Sequence, residues 1–105
     1  MAEPVWLLVM FDLPVATKEQ RRNATQYRNT LLDKGFSMIQ FSVYARYLIN
    51  GTAAIPLLNF LKLSVPPAGY VRIIQLTDKQ WAGGWRLFGS EFVAPETPPG
   101  ELLLF

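Results

Sequence analysis

The 105-residue chain contains neither histidine nor cysteine. The commonest general base and metal ligand are therefore missing, along with the Ser-His and Cys-His nucleophile pairs and thiolate zinc sites. Any hydrolytic chemistry must run on carboxylates, hydroxyls and metal-bound water. Among the carboxylates Asp12 is set apart, because it ends the apolar run Pro4 to Phe11 (PVWLLVMF) at the mouth of the loop begun by Leu13-Pro14. In an extended segment it shares the parity of Trp6, Leu8 and Met10. One reading makes it an Asx-turn residue that organises Leu13-Pro14. The other needs two copies of the chain: a single carboxylate is a poor magnesium or manganese site, but two related by a two-fold axis can share one ion. Such an ion would orient phosphate oxygens and supply a hydroxide nucleophile, with Asp12 as both catalytic residue and metal ligand.

A second group is cationic. Lys18, Arg21, Arg22, Arg28 and Lys34 stand against Glu19 and Asp33 in one short stretch. A solvated helix face is the ordinary meaning of such a cluster. Here, however, Lys18, Arg21 and Arg22 fall on the first turns of the expected helix, beside the loop that Asp12 begins. Cations and helix N-terminal N–H groups then converge, which is how phosphate is gripped without reading bases. The net charge of +2 hides an asymmetry, since all ten Lys and Arg lie within residues 1–89 while Glu91, Glu96 and Glu101 fall in residues 90–105. A basic body with an acidic, proline-bearing tail points to a polyanionic partner for the body.

The elements that must position these residues can be read in order. Pro4 to Phe11 is a buried strand followed by a turn. Thr17 and Gln20 form a capping box for a helix carrying Ala24, Tyr27, Leu31 and Leu32 and closed by Gly35. Phe36 to Leu48 divides into two strands near Gln40 to Ser42. Asn50-Gly51 breaks the chain before a second helix over 53–63, with Pro56 tolerated in its first turn. Pro66 to Gly69 is a tight connector into a fourth strand, Tyr70 to Thr77, and Thr77 with Gln80 caps a short segment reaching Phe88. Trp81, Trp85 and Phe88 are spaced for one helical face and are expected to pack on the body rather than stack on bases.

The order is an α/β (α+β) ferredoxin-like βαββαβ arrangement over residues 1–89, with an additional C-terminal tail over 90–105. Such a sheet has helices on one face only, yet Val5, Leu7, Val9 and Phe11 alternate with Trp6, Leu8 and Met10. The fourth strand repeats the pattern with Ile74 and Leu76 against Val71 and Ile73, and the second with Ile39, Phe41 and Val43 against Phe36 and Met38. The helix-free face is thus an apolar patch, and a homodimer through the sheet is its simplest cover. With no basic and apolar leader and no span-length apolar run, a cytoplasmic location is expected.

These residues resemble a known family, the small CRISPR-associated protein of the spacer-acquisition complex (Cas-two). The resemblance runs from FDLP at 11–14, through the helix start Lys18-Glu19-Gln20-Arg21-Arg22 and YRNTLLDKGF at 27–36, to MIQFSVYAR at 38–46 and PPAGYVRIIQLT at 66–77. It looks like the variant that accompanies Cas-nine-type (type II) systems. The resemblance implies a bacterial homodimer that bridges two dimers of the Cas-one integrase in a heterohexamer and holds a short DNA duplex for insertion into the CRISPR array. It also implies that the family's metal-binding aspartate falls on Asp12, with one magnesium or manganese ion shared across the dimer, and that relatives act as magnesium-dependent endonucleases on RNA or DNA. The family's basic residues near the start of the first helix fall on Lys18, Arg21 and Arg22; the residues of the chain itself add Arg28 as a further candidate for duplex binding. One departure is that the second helix, often basic in similar proteins, has only Lys62.

Two functions of different class follow: a duplex-binding scaffold in spacer integration, and a metal-dependent endonuclease acting on single-stranded RNA or duplex DNA through paired Asp12. The tail ends in Glu101-Leu102-Leu103-Leu104-Phe105, too apolar to end in water. Leu102, Leu103, Leu104 and Phe105 are therefore expected to dock, as an extra strand on their own dimer, by strand addition to Cas-one, or on the replication sliding clamp, whose Q-L-x-L-F peptide ELLLF resembles.

Overall fold

In the computed structural model, which describes residues 3–99, the first apolar run is strand β1 (Val5–Asp12). It lies between two antiparallel neighbours, β3 (Val43–Leu48) and β4 (Tyr70–Thr77). With β2 (Ser37–Gln40) on the far side of β3, the sheet order is β2-β3-β1-β4. The helices α1 (Lys18–Asp33) and α2 (Ala54–Ser64) complete the ferredoxin-like βαββαβ order. A short helix α3 (Asp78–Ala82) and a two-stranded hairpin, β5 (Arg86–Phe88) with β6 (Glu91–Val93), follow β4.

Alternation along β1 builds the core. Val5, Leu7, Val9 and Phe11 are buried with Tyr27 and Leu31 of α1, Ala54, Leu57 and Leu61 of α2, and Phe36, Tyr44 and Leu48. α1 ends where the sequence breaks its pattern. Gly35 adopts φ 84°, its N–H donates to the Leu32 carbonyl and the Phe36 N–H reaches back to that of Leu31, a Schellman closure that a left-handed glycine allows. Arg46 seals the same end, donating to the Lys34 carbonyl at 2.8 Å. α2 is entered through a 3-10 turn at 51–53 capped by the Asn50 side chain, and Pro56 sits in its first turn.

The helix-free face differs from the expected bare apolar patch at one end. Trp6 is only 5% exposed, because the chain covers it with its own α3: the Trp81 ring stacks on it at 4.4 Å and its indole N–H donates to Asp78 at 2.9 Å. The Trp81 indole in turn donates to the Glu96 carbonyl, which draws residues beyond the hairpin back over the sheet. Between hairpin and sheet an open cleft of about 840 Å³ remains, walled by Leu8, Val43 and Leu76 below and by Trp85, Leu87 and Phe88 above.

Two further expectations are corrected. α3 stops at Ala82, so Trp81, Trp85 and Phe88 do not share a helical face: only Trp81 packs, while Trp85 and Phe88 are exposed. Phe41 does not alternate with Ile39 and Val43. A register shift between Met38 and Gln40 and a left-handed Ser42 (φ 63°) put it at the tip of the β2–β3 turn, 90% exposed. The boundary expected between residues 89 and 90 falls inside the β5–β6 turn. Leu102, Leu103, Leu104 and Phe105 lie outside the described residues.

Candidate nucleic-acid interface

The end of β1 and the start of α1 are joined by the loop 13–17, whose shape is set by α1 rather than by Asp12. Thr17 caps the helix, its hydroxyl accepting from the Gln20 N–H at 3.0 Å. The Gln20 side-chain oxygen returns the bond, accepting from the N–H groups of Ala16 and Thr17 at 2.9 and 3.0 Å. This is the capping box expected from the sequence, with one more loop N–H gathered in. Among the described residues no hydrogen bond or ion pair involves the Asp12 carboxylate, so it does not organise an Asx turn. It is exposed at the end of β1, directly opposite Tyr70 of β4.

Lys18, Arg21 and Arg22 are brought together on the first turns of α1, all exposed. Arg21 folds back over the loop and donates to the carbonyls of Val15 and Ala16 at 3.1 and 3.3 Å, which pins a cation above the helix N-terminus. Among the described residues Arg22 makes no such bond, and with Arg21, Thr25, Gln26 and Asn29 it lines a shallow depression. Arg28 stands roughly 15 Å along the axis from Lys18, at 1.5 Å per residue. It is half-buried and bonded to Thr25, outside the group at the helix start. The macrodipole and the free N–H groups of the first turn add to the positive potential at the Lys18 end. The remaining basic residue of the run, Lys34, is turned away at the other terminus, 4.0 Å over the Phe60 ring.

The register adds two residues that spacing alone did not mark. Tyr70 lies opposite Asp12 and Arg72 opposite Met10, so both stand on the helix-free face with Asp12. Residue pattern gives parity within one strand, but which residues of β4 face the end of β1 depends on how the strands are offset.

For a divalent ion the described residues offer no group of three acidic, histidine or cysteine ligands. One exposed, unbonded carboxylate suits magnesium only as one contributor among waters and a second copy's carboxylate. In the core, the buried Tyr27 hydroxyl has no hydrogen-bond partner among the described residues, and burial pushes its phenol up from the ordinary value.

In this ferredoxin-like sheet the first strand ends in an exposed carboxylate beside a basic helix start. The sequence model described as CRISPR associated protein Cas2 matches residues 5–83. The chain is similar to the CRISPR-associated endoribonuclease Cas2 of Paracidovorax avenae, 41% identical over 96% of this chain and 94% of the relative. It is also similar to that of Flavobacterium psychrophilum, 38% identical over 96% and 88%, and that of Acidovorax ebreus, 46% identical over 79% and 81%. The chain belongs to the Cas2 family.

Proposed function

We propose that this chain is the duplex-binding scaffold of CRISPR spacer acquisition: a homodimer, joined through the helix-free sheet face, that holds DNA by its backbone and bridges Cas-one integrase dimers. The observation that carries the reading is the exposed Lys18, Arg21 and Arg22 group on a capped helix N-terminus. Such a group is suited to phosphate oxygens, contacts that position a duplex without carrying base sequence. Apolar surface left on the other face supports the dimer, since Leu8, Val43 and Leu76 lie at the floor of an open cleft and Ile74 is exposed.

A second reading is favoured by Asp12, whose carboxylate is exposed and makes no bond among the described residues, and by the endoribonuclease name borne by the relatives. In it, a magnesium or manganese ion held between the Asp12 carboxylates of two copies supplies a metal-bound water for phosphodiester cleavage of RNA or DNA. Asp12→Ala, assayed separately for spacer acquisition and for nuclease activity, tells the two apart. The scaffold reading predicts acquisition near the wild-type level, whereas loss of cleavage together with acquisition makes the metal site essential.

A further inference from the structure

Loop 13–17 is fastened from two sides. On the α1 side Gln20 gathers the N–H groups of Ala16 and Thr17, and Arg21 donates to the carbonyls of Val15 and Ala16 at 3.1 and 3.3 Å. On the β4 side the fastening is steric. Asp12 pairs with Tyr70, so one step beyond that pair Leu13 meets Gly69. Leu13 keeps the parity of Phe11 and packs against the core, on the helix side of the sheet. A Cβ built on Gly69 would lie 2.8 Å from Leu13 Cδ2 and 3.0 Å from the Pro66 carbonyl oxygen.

Glycine at this position supplies room rather than backbone freedom. Among the described residues the left-handed glycines are Gly35 and Gly89, whereas in the turn into β4 the left-handed position belongs to Ala68, with φ 62°. An alanine holds that conformation only where its surroundings impose it. The turn is closed by the Gly69 N–H, which donates to the Pro66 carbonyl at 3.0 Å, so the strained residue lies immediately before the one that receives Leu13. The reverse order, glycine before alanine, would relieve the backbone and fill the space that Leu13 occupies. The order Ala68-Gly69 keeps the strain and keeps the contact.

We infer that Gly69 is a positioning residue for the β1–α1 loop: its bare Cα seats the Leu13 side chain, and the seated loop holds the two carbonyls that aim the Arg21 guanidinium. The consequence for binding rests on the duplex-binding reading above, while the seat itself does not. The test follows full-length variants, each shown to be folded by urea unfolding, through amide hydrogen exchange and through the anisotropy of a labelled short duplex. In Gly69→Ala the amides of Ala16 and Thr17 should exchange several-fold faster while those of Tyr27 and Leu31 keep their rates. Duplex affinity should fall about three- to tenfold, the size of one lost hydrogen-bonded anchor. Two backgrounds separate positioning from a general loss of stability. In Leu13→Val, which lacks the δ carbons, Gly69→Ala should change neither readout further; in Arg21→Ala it should speed the exchange and leave the affinity where it was. Wild-type exchange rates at Ala16 and Thr17 in Gly69→Ala overturn the inference, as do equal losses of affinity in the wild-type and Arg21→Ala backgrounds. Should Gly69→Ala not fold, Leu13→Ala withdraws the same contact from the other side and is held to the same outcomes. A wild-type chain that binds no duplex ends the scaffold reading, and the exchange rates then decide the seat alone.

Discussion

Asp12 and Tyr27 are polar residues with opposite surroundings, and substitution should separate them. Asp12 is exposed and has no partner among the described residues, so Asp12→Asn should leave the urea unfolding free energy within about 0.5 kcal/mol of wild type. A larger loss would mean the carboxylate supports the fold after all. Tyr27 buries a hydroxyl with nothing to bond, and Tyr27→Phe should stabilise the protein by about 1 kcal/mol, by removing an unsatisfied group while keeping the ring against Phe11. Its pH dependence has a definite sign. The folded phenol is raised above its unfolded value of 10.0, so the neutral form's contribution is full below that pH and is lost as pH rises through the folded value. Wild type should therefore lose stability faster than Tyr27→Phe in denaturation series taken above pH 10. The prominence of Asp12 was legible from its place after an apolar run. The absence of a partner for Tyr27 was not, because helical spacing marks it only as core and says nothing of where its hydroxyl ends.

At the scale of elements, the best-read features are those specified by neighbouring residues. Thr17 with Gln20 and Thr77 with Gln80 both form the reciprocal boxes their spacing predicts, and Gly35 closes α1 as its position implies. Thr17→Ala should cost about 1 kcal/mol in urea unfolding. It should also weaken duplex binding, because the first turn that displays Lys18, Arg21 and Arg22 would fray; full affinity in a destabilised Thr17→Ala would detach the cations' role from the cap. The misread features depend on distant parts of the chain. Periodicity through Trp81, Trp85 and Phe88 suggests one helix, but Gly83-Gly84 ends it and Trp81 is claimed by Trp6, far away in sequence. Phe41 follows the strand parity in sequence, yet the register shift opposite β3 turns it out. Tyr70 and Arg72 joined Asp12 only once the β1–β4 register was known.

For the whole molecule, sheet parity foretold an apolar helix-free face, and the chain itself covers part of it through α3 and the hairpin. The open cleft above Leu8, Val43 and Leu76 leaves apolar surface on that face. Sedimentation at micromolar concentration without nucleic acid should give about twice 11.9 kDa; a monodisperse monomer would remove both the sheet-mediated dimer and any ion shared between two Asp12 side chains. Family membership was legible because its motifs fall at element ends, where FDLP closes β1 and the basic residues open α1, so local sequence carries the arrangement. Backbone recognition by the α1 cations is tested most directly by the salt dependence of binding to two duplexes of unrelated sequence, for wild type and Arg21→Ala/Arg22→Ala. Wild type should bind both duplexes alike, and the double variant should lose about two units of slope on each, one per phosphate contact; equal slopes for the two proteins, or a preference for one sequence, would contradict it.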